Sequence, residues 1–214
     1  MKIEALALAA AVCAAPAFAD TVKIDNFTFA PGLNLNVSSP GYNGAAGQFS
    51  GWLNGNSFET FCTDLSQTFS FGTTYTDYVV VDGVTAWGAT KSLDLDRLMS
   101  NMVQSNNPNG NVVSALFQAG VWEILYETAG NPYDFTSGAF TVTSADAGVQ
   151  TGLDNVNWGA LPGTTVTVHA DQLYSRSSQD FLVLTAVPEP STYALLLAGL
   201  ASIGFVARRR ARAD

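Results

Sequence analysis

The 214-residue chain carries nine basic and eighteen acidic residues, a formal net charge of −9. Between Asp20 and Pro190 only Lys23, Lys91, Arg97 and Arg176 oppose sixteen carboxylates, so this stretch repels nucleic-acid phosphates and anionic lipid, and nucleic-acid binding is excluded. No zinc-ligand spacing, phosphate-binding glycine loop or dinucleotide fingerprint is present, and no cofactor is expected.

In chain order, residues 1–19 read as a secretory signal peptide. Lys2 opens it, Ala5 to Ala15 is apolar, and Ala17-Phe18-Ala19 is a small-x-small cleavage site. The sequence therefore predicts export by the Sec machinery and removal of Cys13 with the leader by signal peptidase. Residues 20–186 then form one extracellular domain, about the usual size for a core without disulfide staples. Strands are predicted over 21–29, 34–37, 48–53, 57–65 and 75–81, between turns rich in Gly, Pro and Asn. Ser92 is expected to cap a helix through Leu93, Leu95, Leu98, Met99 and Met102. Asn106 to Gly110 breaks it, and Asn111 is expected to cap a second helix over 112–127. A weaker third helix is read over 144–155, and strands return at 164–169 and 180–184. The predicted fold is mainly β, a β-sandwich or barrel-like sheet, with two to three helices inserted.

Residues 187–214 form the tail. Pro188-Glu189-Pro190 is a rigid break. Tyr193 to Ala207 is uncharged and apolar, and Arg208, Arg209, Arg210 and Arg212 close it as a basic stop. The apolar run reaches roughly 22 Å as a helix, against a hydrocarbon core of ~30 Å. It is read as a short transmembrane helix with the arginines on the cytoplasmic side. Motif, apolar helix and arginine cluster, in this order, resemble the PEP-CTERM sorting signal of Gram-negative bacteria. That resemblance implies recognition by an exosortase, a membrane transpeptidase, with cleavage near the Pro-Glu-Pro motif. It also implies transient inner-membrane anchoring, then delivery to the cell surface or extracellular matrix.

Within the domain, Cys62 has no disulfide partner once the leader is gone. The helix over 112–127 places Val113, Phe117, Val121 and Ile124 on one apolar stripe and Ala115, Gln118, Trp122 and Leu125 on its neighbour. Gln118 is thus an amide on an apolar face, with the polar edge read at Ser114, Glu123 and Glu127. An unpartnered buried amide costs about 1–3 kcal/mol. One chemistry pairs Gln118 with Cys62. A thiolate attacks the side-chain carbonyl carbon of a glutamine, expels ammonia and leaves an internal thioester, provided that the groups are close and water is kept out. Phe61, Phe117 and Trp122 supply apolar surroundings, and Asp64 or Glu123 a proton-handling carboxyl.

The segments "FCTD" and "FQAGVW" resemble the two signature motifs of the bacterial thioester domains of surface adhesins. Cys62 matches the thioester cysteine, Gln118 the thioester glutamine and Trp122 the motif tryptophan. The resemblance implies a β-rich fold with a helical portion and covalent capture of nucleophiles, typically surface amines. Gly120 departs from the larger apolar residue usual at its place, and the spacing from Cys62 to Gln118 is short.

Other readings stand beside this one. In the first, Cys62 is a small buried hydrophobe in a structural protein associated with extracellular polysaccharide. In another, Cys62 and His169 form a hydrolase dyad, although no oxyanion motif accompanies them. The chain is otherwise read as no enzyme itself but the substrate of one, with single-turnover chemistry at most. Asp94 and Asp96 lie on a predicted helix where their carboxylates diverge, and they read as solvated charges rather than a calcium site.

Overall fold

A computed structural model describes residues 19–106, 108–187 and 190–210. Residues 1–18 of the expected signal peptide, with Ala17, lie outside the described residues, as do Pro188, Glu189 and Arg212.

The fold is mainly β. A six-stranded antiparallel sheet runs in the order β5-β4-β1-β6-β8-β9. Its strands are β1 (Asp20–Phe27), β4 (Phe49–Leu53), β5 (Asn56–Thr60), β6 (Thr74–Val81), β8 (Val168–Tyr174) and β9 (Phe181–Ala186). A second sheet of β2 (Leu33–Ser39), β3 (Tyr42–Ala46) and β7 (Thr141–Ala145) has β2 at its centre. β1 buries Val22 and Ile24, and β2 buries Leu35 and Val37, at alternate positions.

The six-stranded sheet nearly closes on itself. Just past β5, Cys62 forms an antiparallel bridge to Phe181 of β9. Thr63 N–H donates to the Asp180 carbonyl and Leu182 N–H to the Phe61 carbonyl, both at 2.9 Å. The Thr60 hydroxyl adds a bond to the Leu182 carbonyl at 2.6 Å. The two edge strands thus meet at a seam, and Cys62 lies on it.

Helices fill the connection between β6 and β8: α1 (Gly83–Trp87), α2 (Ala89–Gln104), α3 (Asn111–Tyr126) and α4 (Ala147–Leu153), with a 3-10 turn at Trp158–Gly163. Asp82 caps α1 by accepting from Thr85 N–H. Ser92 is not the expected cap. α2 begins earlier, at Ala89 after Gly88 (φ 82°), and Ser92 is buried inside it. Likewise α3 starts at Asn111 behind Gly110. The predicted third helix divides into β7 and the short α4, because Thr141 to Ala145 pairs with β2 instead of coiling. The last two predicted strands start late, at Val168 and Phe181.

Two clusters make the core. Val22, Ile24, Cys62, Ala115, Trp122 and Phe181 belong to the one under both sheets. Phe61, Leu95, Met99, Val121, Ile124 and Leu182 belong to the one between α2, α3 and the seam. α3 runs between them, with buried residues all around its circumference, as expected of a helix enclosed on every side.

The tail forms α5 (Pro190–Arg210). Leu195, Leu197, Leu200, Ile203 and Phe205 stand exposed along it. Among the described residues no helix is long and apolar enough to cross a membrane, which corrects the reading of this segment as a transmembrane helix. Its uncharged run is too short to cross a core of about 30 Å, and Gly199, Ser202 and Gly204 dilute it.

Candidate functional site

The bridge to Phe181 determines what Cys62 offers its surroundings. The two bonds of this bridge run from the flanking residues, so Cys62 occupies a non-hydrogen-bonded position. Its own N–H and C=O point away from β9. At this point the chain has already left β4, whose pairing with β5 ends at Phe49 and Thr60. A buried residue with both peptide groups free would be costly.

Gln118 of α3 fills that gap. Its Oε1 accepts from Cys62 N–H at 2.9 Å, and its Nε2 donates to the Cys62 carbonyl at 2.8 Å. The side-chain amide stands in for the peptide of a missing strand, and it is 0 % exposed. The sequence places this glutamine on an apolar face, and the Cys62 backbone is the partner that accounts for it.

The Cys62 thiol donates to the Asp64 carbonyl at 2.9 Å. Burial pushes the thiol up to about 12, only partly offset by the Trp122 indole and the Asp64 backbone, while the Asp64 and Asp180 charges add to the rise. Asp180 is itself pushed up to about 6 by burial, although its carboxylate accepts from Ser175 N–H and Gln172 Nε2. The Asp64 carboxylate makes its hydrogen bonds elsewhere. It accepts from Ser66 N–H at 2.7 Å and from the Tyr126 hydroxyl at 3.4 Å. Gln179 Nε2 also donates to the Asp64 carbonyl.

A cavity of about 230 Å³ opens beside these groups. Cys62, Gln118, Trp122 and Gln179 line it together with Phe27, Tyr42, Phe49, Phe69 and Phe71. The rings pack edge to face, as in Phe49–Phe69 (5.2 Å) and Phe69–Phe71 (5.0 Å). Of the aromatic neighbours predicted from sequence, only Trp122 lines this cavity. Phe61 follows strand alternation to the other side and packs in the α2–α3 cluster. Phe117 points from α3 into a separate apolar pocket with Leu98 and Trp158. The rings from β1, β4 and the loop after Cys62 were not legible as site residues. Their only signal was the density of phenylalanine between positions 27 and 71.

Glu123 is not at the thiol either. It accepts from Asp134 N–H at 2.7 Å, and its other oxygen has no partner among the described residues. Burial raises its carboxyl to about 7, with Glu127 and Asp134 adding to the rise. The polar edge expected on α3 is therefore wholly buried. Ser114, Glu123 and Glu127 are each at most 1 % exposed. Glu127 is enclosed by the following loop, accepting from Thr128 N–H, Asn131 Nδ2 and Ala139 N–H.

His169 projects from the polar face of β8, but its partner is Asp96. The Asp96 carboxylate accepts from Ala170 N–H at 2.7 Å and lies 2.8 Å from His169 Nδ1. Asp96 is therefore buried, not the solvated charge expected. Asp94 turns elsewhere, to Arg97 and Tyr133. His169 and Cys62 line different cavities, so the fold does not assemble the hydrolase dyad. Among the described residues, no group of three or more His, Cys, Asp or Glu is arranged to hold a metal ion.

Residues 186–210 match the family model described as the PEP-CTERM protein-sorting motif. This motif implies an exported protein sorted by an exosortase, and Gram-negative surface sorting as its destination. The match covers the tail alone. No curated protein and no solved structure matches the chain.

Proposed function

We propose that this exosortase substrate is a cell-surface or matrix protein that attaches covalently through an internal thioester between Cys62 and Gln118. The observation that carries the reading is the double hydrogen bond between the Gln118 amide and the Cys62 backbone. It holds the electrophilic amide carbon of one residue beside the thiol-bearing residue in a buried place. The adjoining aromatic cavity gives a small nucleophile a route in while excluding bulk water. An amine on a partner surface, protein or polysaccharide, is the nucleophile that such a bond captures.

A second reading has an observation of its own. The Gln118 amide is already satisfied by two good bonds, and burial keeps the thiol neutral. In that case Gln118 is a clamp closing the sheet, and the protein is a structural matrix component. Intact-mass measurement separates the two. The thioester predicts freshly purified protein lighter by one ammonia, uptake of methylamine, and loss of both in Cys62→Ala. Full calculated mass in every preparation, with a titratable thiol, leaves the clamp.

A further inference from the structure

Trp122 and Thr63 each carry a buried polar side-chain atom at the seam without a hydrogen bond among the described residues, and Trp122 is the one that lines the cavity beside Cys62. Its ring is 1 % exposed and lies 5.1 Å from the Tyr42 ring. Among the described residues its indole N–H makes no hydrogen bond in the resting geometry. A buried donor without a partner is a cost that phenylalanine, with a similar apolar ring, would not incur. The indole shares its cavity and its core cluster with Cys62, and it offsets part of what burial costs a charged Cys62 sulfur.

We propose that the Trp122 indole N–H is the donor that stabilises negative charge on the Cys62 sulfur while the Cys62–Gln118 thioester forms and while an amine opens it. This inference rests on the thioester reading above. In formation, the thiol gives up its proton and a sulfur lone pair makes the S–C bond to the Gln118 amide carbon. The C–N bond breaks, and the nitrogen leaves as ammonia, carrying that proton. In opening, an amine nitrogen bonds to the same carbon and the C–S bond breaks. The sulfur departs as a thiolate, which takes the proton shed by the amine. The first reaction begins, and the second ends, with charge on sulfur in an apolar site. The neighbouring carboxylates of Asp64 and Asp180 oppose that charge. A pre-placed N–H that waits unpaired in the resting state acts at both moments and needs no reorganisation.

The test removes the N–H and keeps the ring. In the full chain, Trp122→Phe and replacement of Trp122 by β-(3-benzothienyl)alanine, an indole isostere without N–H, are compared with the wild type. Ammonia loss and methylamine uptake are followed by intact mass across pH. Loss of a hydrogen bond to a charged atom predicts both rates falling about 10- to 100-fold, with the pH profile displaced to higher pH. The unfolding midpoint of the isostere should stay close to the wild type, whereas Trp122→Phe, which also removes part of a buried ring, should unfold earlier. Wild-type rates in the folded isostere overturn the role of Trp122 and leave the thioester standing. A wild-type protein without ammonia loss overturns both.

Discussion

Gln118 and Glu123 are both fully buried on α3, little more than one turn apart, and their neighbours treat them in opposite ways. Toward the sheets, Gln118 meets a peptide with matched donor and acceptor, and both ends of its amide are used. Toward the 127–139 loop, Glu123 meets one backbone N–H and leaves an oxygen unpaired. A neutral amide can replace a strand's peptide at little net cost, whereas a carboxylate in the same helix must either find donors or hold a proton. The first arrangement binds the seam of the sheet. The second leaves the far side of the helix sensitive to pH.

The largest effect is expected on the amide side. Gln118→Ala strands a buried N–H and a buried C=O at Cys62, and it opens a cavity. With each unpaired group costing about 1–3 kcal/mol, the loss should be about 4 kcal/mol in chemical denaturation. Gln118→Met keeps the volume but not the bonds, and should recover only the packing part. If Gln118→Ala unfolds at the wild-type midpoint, the amide is no clamp and the comparison with Glu123 collapses.

That side was partly legible in the sequence. Helical spacing placed Gln118 among Ala115, Trp122 and Leu125, and a buried amide demands a partner. What the sequence did not contain was the identity of that partner. Cys62 presents its backbone to α3 because β5 has run past β4 and bridged to Phe181, a closure between strands far apart in sequence. Phe61 was read as a neighbour of the thiol because it adjoins Cys62 in the sequence, whereas strand alternation turns it to the other cluster, and which face held the aromatic cavity depended on β1, β4 and the loop to Phe71. Glu123 and Glu127 looked like a solvent edge because helical periodicity registers polarity only. The loop that buries them supplies backbone N–H groups, and these leave no pattern in side-chain types. The tail was legible almost entirely, since a linear signal depends on order and composition. Its span was misjudged where apolar length, not motif, decides.

Glu123 gives the next effect, and its size depends on pH. A carboxyl raised from its usual value to about 7 binds its proton more tightly in the folded state. Its burial is tolerated below pH ~4.5 and becomes a growing cost as pH rises toward 7, reaching about 3 kcal/mol above that. Glu123→Gln keeps an oxygen for Asp134 N–H and carries no charge. It should raise stability by about that amount at pH 8 and change little at pH 4. Equal shifts at both pH values would mean that the fold does not raise the Glu123 carboxyl, and the contrast with Gln118 would then concern geometry alone.

The smallest effect lies near the start of α3 and isolates a single bond. Ser114, 1 % exposed, accepts from Gln48 N–H at 2.6 Å and ties the helix to the strand that opens β4. Ser114→Ala leaves one buried N–H unpaired, against two groups in Gln118→Ala, and the small side chain adds almost no cavity. The expected loss is about 1–2 kcal/mol, and the Gln48 amide should exchange with solvent faster than its neighbours in β4. Ser114→Thr retains the acceptor and should restore most of the protection. If Ser114→Ala costs as much as Gln118→Ala, the stability of the seam comes from anchoring α3 as a whole. The pairing of one amide with Cys62 would then lose its special place in the fold.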